Sequence, residues 1–248
     1  MQIKQNLVNS NKYSIKCPYS MKPEYVTVHN TDNKAPARNE VNYMINNDKQ
    51  VSFHVAVDDV EAIQGIPFNR NAWAAGDGAN GKGNRKSIHV EICKNTLGSN
   101  NPTFKKCEDN AVKVCAQLLK QFGLGIDRLR SHRSWSGKNC PSTTNFDNFK
   151  ARVDKELKAM SETRKYKNCI LYGNEVDKVG AEIIKWSKED CIIKNVKDHI
   201  PWEATNLFTV GGQAKSELDK MNTKEKYTSI VGSDRYDTIR NCLKFVGR

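Results

Sequence analysis

The sequence predicts an α/β protein built of two domains, and three observations predict it. Strand-like and helix-like segments alternate along the first 160 residues. A polar stretch then interrupts the pattern at 161–168. After it, a strand–glycine turn–helix unit repeats to the C-terminus.

Within residues 1–160, "EYVTVHN" (24–30), "VSFHVAVDD" (51–59) and "SIHVEIC" (87–93) are β-branched and alternate as strands do. Between the first two, Val41, Met44 and Ile45 give "NEVNYMINN" (39–47) one apolar helical stripe. A second helix is expected over 105–123, with Ala111, Cys115, Leu118, Leu119 and Phe122 apolar and Gly123 as its stop. A third begins near Phe146 and carries Phe149, Val153, Leu157 and Met160 on one face. The polar "SETRKYKN" (161–168) reads as a linker. Beyond it, 168–186, 206–221 and 227–245 each read as strand, glycine turn and helix, so a small α/β domain is expected at 169–248. "NAWAAGDGANGKGNRK" (71–86) stands apart: it holds four glycines and one tryptophan without periodicity, and a long irregular loop inside a domain is often functional.

Composition narrows the class. Hydrophobic residues make up 38% and charged residues 27%, which suits a globular chain, and no window reaches the roughly 18 apolar residues that span a bilayer. Membrane insertion is therefore not expected. The start, "MQIKQNLVNSNK", lacks the apolar core of a secretory signal, so synthesis in the cytoplasm without a cleavable leader is expected. The net charge of +12 fits a polyanionic partner such as a bacterial cell wall. Nucleic acid is disfavoured, because no tight run of basic residues interleaves with aromatics. The eight cysteines are scattered without a CxxC pair and read mostly as small buried thiols.

The candidate chemistry lies in the histidines. Alternation puts Thr27 and His29 on one strand face, and His89 and Glu91 on the face opposite Ile88, Val90 and Ile92. A glutamate in an apolar strand must be solvated, paired or used. "HRSWSGKNCP" sets His132 eight positions before Cys140, with Lys138 between them. By residue type alone this spacing admits a metal site, a thiol nucleophile, a disulfide or no shared role. Two histidines and a thiolate are competent zinc ligands, and three protein ligands with an open position suit a hydrolytic zinc. Of the others, His54 and His89 are expected to be hydrogen-bonded strand residues and His199 a surface residue.

In order along the chain, "VTVHNT", "SFHVAVDD", "NAWAAGDG", "VEIC" and "HRSWSGKNCP" resemble the zinc-dependent N-acetylmuramoyl-L-alanine amidases of bacteriophage endolysins, a family related to the peptidoglycan-recognition proteins. For residues 1–160 the resemblance implies a mixed central β-sheet flanked by helices. It makes His29, His132 and Cys140 the ligands of Zn2+, Glu91 the proton shuttle and Lys138 a cation near the developing oxyanion. It also places Asn71, Trp73 and Phe53 along the substrate groove. Some relatives carry a tyrosine at the position of Phe53; without the hydroxyl, proton transfer falls to Glu91. In the second domain, "VGGQAKSEL" and "VGSDRYDT" resemble wall-anchoring modules of clostridial surface proteins and phage lysins. That resemblance implies binding to a wall polymer, with self-association through this domain as a further expectation. The expected partner is bacterial peptidoglycan, reached after release from the cell as an endolysin. The alternatives are a host autolysin and a non-catalytic peptidoglycan-binding protein of the same fold.

Overall fold

The chain divides into two units, Met1–Lys158 and Ala159–Arg248, in a computed structural model that describes residues 1–162, 164–221 and 223–248.

The first unit is built on a six-stranded sheet. Its strands are β1 (Ile3–Gln5), β2 (Tyr25–Asn30), β3 (Val55–Val57), β4 (Ala62–Gln64), β5 (Ser87–Ile92) and β6 (Leu129–Ser131), in the order β1-β4-β3-β5-β2-β6. Only β3 and β4 run antiparallel, so the sheet is mixed. Asp58 makes their turn: its Oδ1 accepts the Val60 and Glu61 N–H groups, and its Oδ2 accepts the first N–H of α2 (Ala37–Asn46). The apolar stripe of α2, Val41 and Met44, packs with Phe53, Ala56 and Ile63 on one sheet face. Ala56 is the register partner of Glu91, so α2 covers the face that bears Glu91.

The longest helix of this unit, α4 (Pro102–Gln121), packs on β2, β3 and β5. It follows the short α1 (Tyr13–Lys16) and α3 (Lys82–Lys86) and starts earlier than the apolar stripe indicates. Asn101 caps it by accepting the Thr103 N–H, and Pro102 suits the first turn. Gly123, at φ 65°, follows its end. The strand expected over 51–59 shrinks to Val55–Val57. Ser52 exchanges backbone hydrogen bonds for contacts with a loop: its N–H donates to the Trp73 carbonyl, and its hydroxyl donates to the Lys16 carbonyl.

The linker expected at 161–168 is shorter than predicted. Helix α6 (Phe146–Glu162) continues into it, after the one-turn α5 (Arg133–Ser136), and β7 (Tyr166–Tyr172) begins inside it. Thr163, also in this segment, lies outside the described residues.

The second unit carries a four-stranded, all-parallel sheet. β7, β8 (Cys191–Asn195), β9 (Ala204–Val210) and β10 (Tyr227–Ile230) lie in the order β10-β9-β7-β8. Alternation sorts its core. Cys169, Leu171 and Leu207 pack with α8 (Gly212–Lys220) on one face; Ile170, Phe208 and Val210 pack with α7 (Glu175–Trp186) and α9 (Arg235–Phe245) on the other. Asn174 and Asp234 cap α7 and α9. His199 is not at the surface. It is buried with Glu225, Nε2 to Oε2 at 2.7 Å, and Glu225 also accepts the Trp202 N–H.

Candidate active site

The site grows from the register of two neighbouring strands. Parallel pairing of β2 with β5 aligns Thr27 with His89 and His29 with Glu91, so all four share a sheet face. On the other side of β2, the pairing of β6 ends at Ser131, and the His132 N–H donates to the Val28 carbonyl. This brings His132 beside His29 across 103 residues of chain: the two Nδ1 atoms lie 3.0 Å apart.

Cys140 completes the cluster. Its Sγ lies 3.9 Å from His29 Nδ1 and receives the Asn30 N–H at 3.5 Å. The Asn30 side chain holds the loop that follows: Oδ1 accepts the Thr143 and Thr144 N–H groups, and Nδ2 donates to Thr144 Oγ1. His29, His132 and Cys140 are all buried, and their ligand atoms lie within 4.8 Å of one another.

The protons on these rings follow from their outer partners. His89 Nε2 faces the Gly83 carbonyl at 3.0 Å, an acceptor only, so it carries the hydrogen. His89 Nδ1 is then bare and accepts from His29 Nε2 at 2.9 Å, which leaves His29 Nδ1 bare as well. The Ala75 backbone hydrogen-bonds the His132 ring in the sense that favours its protonated side. His29 Nδ1, bare in this arrangement, thus lies 3.0 Å from His132 Nδ1 beside a thiol sulfur, an arrangement that fits a cation between them. The donor set fits a metal ion.

Electrostatics agree with this. Burial, then the neighbouring His89, His132 and Lys138, hold His29 well below the usual imidazole pKa. Burial, then Lys138, lowers that of His132, so both rings stay neutral near neutral pH. Burial pushes the Cys140 thiol up to about 11, against the opposing Asn30 N–H. Burial, with the Glu40 carboxylate second, pushes Glu91 up to about 8. One edge of Glu91 reaches the surface, but its Oε2 is shut away with no hydrogen-bond partner. Lys138 is exposed on the loop between His132 and Cys140.

Of the residues expected along the substrate groove, Phe53 belongs to the apolar core under α2. Asn71 is fully buried, where its Oδ1 accepts the Tyr19 N–H. Trp73 pins its own loop: its indole N–H donates to the Ile15 carbonyl, and its ring meets Tyr19 edge-on. In these surroundings Phe53 and Asn71 are buried, and Trp73 carries a structural load. His89, a hydrogen-bonded strand residue as expected, touches His29 directly, and Asn30, which the sequence did not single out, touches Cys140. His89 shares a face with Glu91 in the alternation pattern, and that was the available signal.

A sequence profile described as N-acetylmuramoyl-L-alanine amidase matches residues 19–143, which hold His29, Glu91, His132 and Cys140. The chain belongs to that amidase family. Among the family's proteins, N-acetylmuramoyl-L-alanine amidase XlyB of Bacillus subtilis strain 168 is 54% identical over 159 residues, covering 62% of this chain and 50% of XlyB. CwlA of the same strain is 51% identical over 164 residues, covering 64% of this chain and 60% of CwlA. This chain therefore spans about half the length of these relatives. The solved structure of PlyL superposes with a TM-score of 0.60 at 54% identity, covering 63% of this chain and 99% of PlyL. A mutant endolysin from Bacillus subtilis matches at a TM-score of 0.56 and 39% identity, over 62% of this chain and 99% of the endolysin.

Proposed function

We propose that the chain is a zinc-dependent peptidoglycan hydrolase that cuts the amide between the lactyl group of N-acetylmuramic acid and L-alanine of the stem peptide. The observation that carries this reading is the convergence of His29 Nδ1 and His132 Nδ1, 3.0 Å apart, on Cys140, next to a half-buried carboxylate on the adjoining strand. His29, His132 and Cys140 would hold the zinc. When bound, zinc supplies Lewis-acid polarisation of a carbonyl and makes water more acidic.

The chain's own groups then do the proton work. Glu91, raised to about 8, is a strong enough base to take a proton from the attacking water and a strong enough acid to hand it to the leaving amine nitrogen. Phe53 has no hydroxyl and lies in the core, so it offers no second shuttle. Lys138, exposed on the loop between His132 and Cys140, would stabilise the oxygen that gains charge.

The sequence kinship of residues 19–143 with named amidases supports this substrate, and the likeness to an endolysin supports a lytic role at the cell wall. The unit from Ala159 onwards would bind a wall polymer and concentrate the hydrolase there; among the described residues it holds no second cluster of metal-ligating groups. No helix among the described residues is long and apolar enough to cross a membrane.

The test is digestion of purified cell walls followed by mass spectrometry of the fragments. New L-alanine amino termini, abolished by a chelator and restored by zinc, are expected. New reducing sugar ends, or cleavage between amino acids of the peptide, would replace this reading. Intact walls that retain the protein would favour the non-catalytic binding alternative.

A further inference from the structure

The segment at 71–86, a loop that ends in α3, makes no contribution to the proposed chemistry through its side chains, yet its backbone holds the His132 ring directly and His29 through His89. The Gly83 carbonyl receives His89 Nε2–H, and His89 Nδ1 in turn meets His29 Nε2. The Ala75 backbone meets the His132 ring. The position after it, Gly76, lies on the Nε2 side of that ring, where an added Cβ would sit 3.6 Å from Nε2.

The loop is itself tightly held. Asp77 accepts the Gly83 and Asn84 N–H groups with its two carboxylate oxygens. Asn84 Oδ1 accepts the Ala74 and Ala75 N–H groups, and its Nδ2 donates to the Gly78 carbonyl. Gly83 must be glycine, because a Cβ there would lie 2.5 Å from Ala75 Cβ and 2.9 Å from the Trp135 ring. His89 is held from behind as well, since its N–H donates to His54 Nδ1, and His54 Nε2 then donates to the Arg70 carbonyl.

We propose that His89 is a positioning residue which, held by the Gly83 carbonyl of this loop, fixes His29 as the Nε2–H tautomer and so points its bare Nδ1 at the metal. The proposal rests on the reading of His29, His132 and Cys140 as metal ligands. A ring nitrogen must be bare to ligate, and its outer partner decides which nitrogen that is. Carboxylates and carbonyls usually do this directly. Here a neutral imidazole does it, and it accepts only because its own second nitrogen is committed to a carbonyl. His89 is fully buried, so water does not compete for either nitrogen.

The experiment has two arms on the full chain. In the first, long-range proton–nitrogen NMR of the metal-free wild type reads the His29 tautomer. The Nε2–H form is expected, and the Nδ1–H form would overturn the proposal. In the second, zinc affinity is measured by competition with a chromophoric chelator. His89→Leu removes the acceptor and is expected to weaken zinc binding about 10- to 100-fold. His89→Asn keeps an oxygen acceptor close to the place of Nδ1 and should restore most of the affinity. Equal affinity in wild type and His89→Leu, or an equal loss in both variants, would overturn the positioning role while leaving the metal reading intact. A wild-type chain that binds no zinc would instead overturn the metal reading. The tautomer measurement needs no substitution, so it decides the matter even where His89→Leu fails to fold.

Discussion

Glu91→Gln should trade activity for stability, and the size of the trade depends on pH in a way that the structure fixes. In the metal-free fold the carboxyl is pushed from its ordinary 4.5 up to about 8, by burial first and by Glu40 second. A carboxyl whose folded pKa lies above its unfolded one favours the fold below about 4.5. It loses that contribution as pH rises through about 8, because the unfolded chain gives up the proton earlier. Glutamine does not titrate. The stability of Glu91→Gln relative to wild type should therefore grow by about 3 kcal/mol between pH 5 and pH 8, at about 1.4 kcal/mol per pH unit over most of that range. Effects that do not titrate, such as the amide placed at the unpartnered Oε2 position, are constant and cancel in the difference. Urea unfolding of both proteins in the presence of a chelator, at several pH values, measures it. Parallel stability profiles would refute the buried, strained state of Glu91. The same variant should lose activity on cell walls by about 10²- to 10⁴-fold, the usual worth of a general acid–base group.

Removing a ligand, as in His132→Ala or Cys140→Ser, should abolish stoichiometric zinc in metal analysis of the folded protein; full retention in both would remove these residues from the site. Zinc affinity should rise about tenfold per pH unit between pH 7 and 9, because the Cys140 thiol, pushed up to about 11, must lose a proton on binding while His29 and His132 are already neutral; calorimetry in buffers of different ionisation heat would count that proton. Lys16 is fully buried, and its ammonium donates to Asn47 Oδ1 and to the Lys49 and Val51 carbonyls, so Lys16→Met should cost about 2–4 kcal/mol by leaving three acceptors unpaired. In the second unit, His199→Leu leaves the Glu225 carboxylate buried without its ring partner and should cost about 3 kcal/mol at neutral pH, read from the unfolding of that unit.

Much of the site was legible because strand alternation is a strong rule. Placing His29 and Glu91 on the faces of "VTVHNT" and "SIHVEIC" requires only the two-residue period, and their register follows once β2 and β5 pair. His132 and Cys140 were different: their spacing left several chemistries open, and only likeness to known amidase motifs selected one. The supports of the site were illegible for a physical reason. The Gly83 and Ala75 groups that orient the histidines are backbone atoms, which every residue type possesses, so no letter of the sequence announces them. The same limit hid the three-residue strands β1, β4 and β6, which are too short for periodicity to register. His199 misled in the other direction: a residue type often found near surfaces is buried here because it meets Glu225, a partner distant in sequence.

The pairing of β6 with β2 has a consequence for how the molecule comes into being. It joins Val26 to Leu129, and the sulfur that completes the ligand set arrives later still, at residue 140. Closing so long a segment of chain is entropically costly, and contacts of this range form late in folding. During synthesis, His29 and Glu91 leave the ribosome well before His132 and Cys140. A growing chain is therefore chemically inert until nearly all of the first unit has been made and its outermost strand has docked. On the proposed reading, metal uptake would then mark the completion of folding of the first unit, and interrupted or truncated products would lack the assembled site.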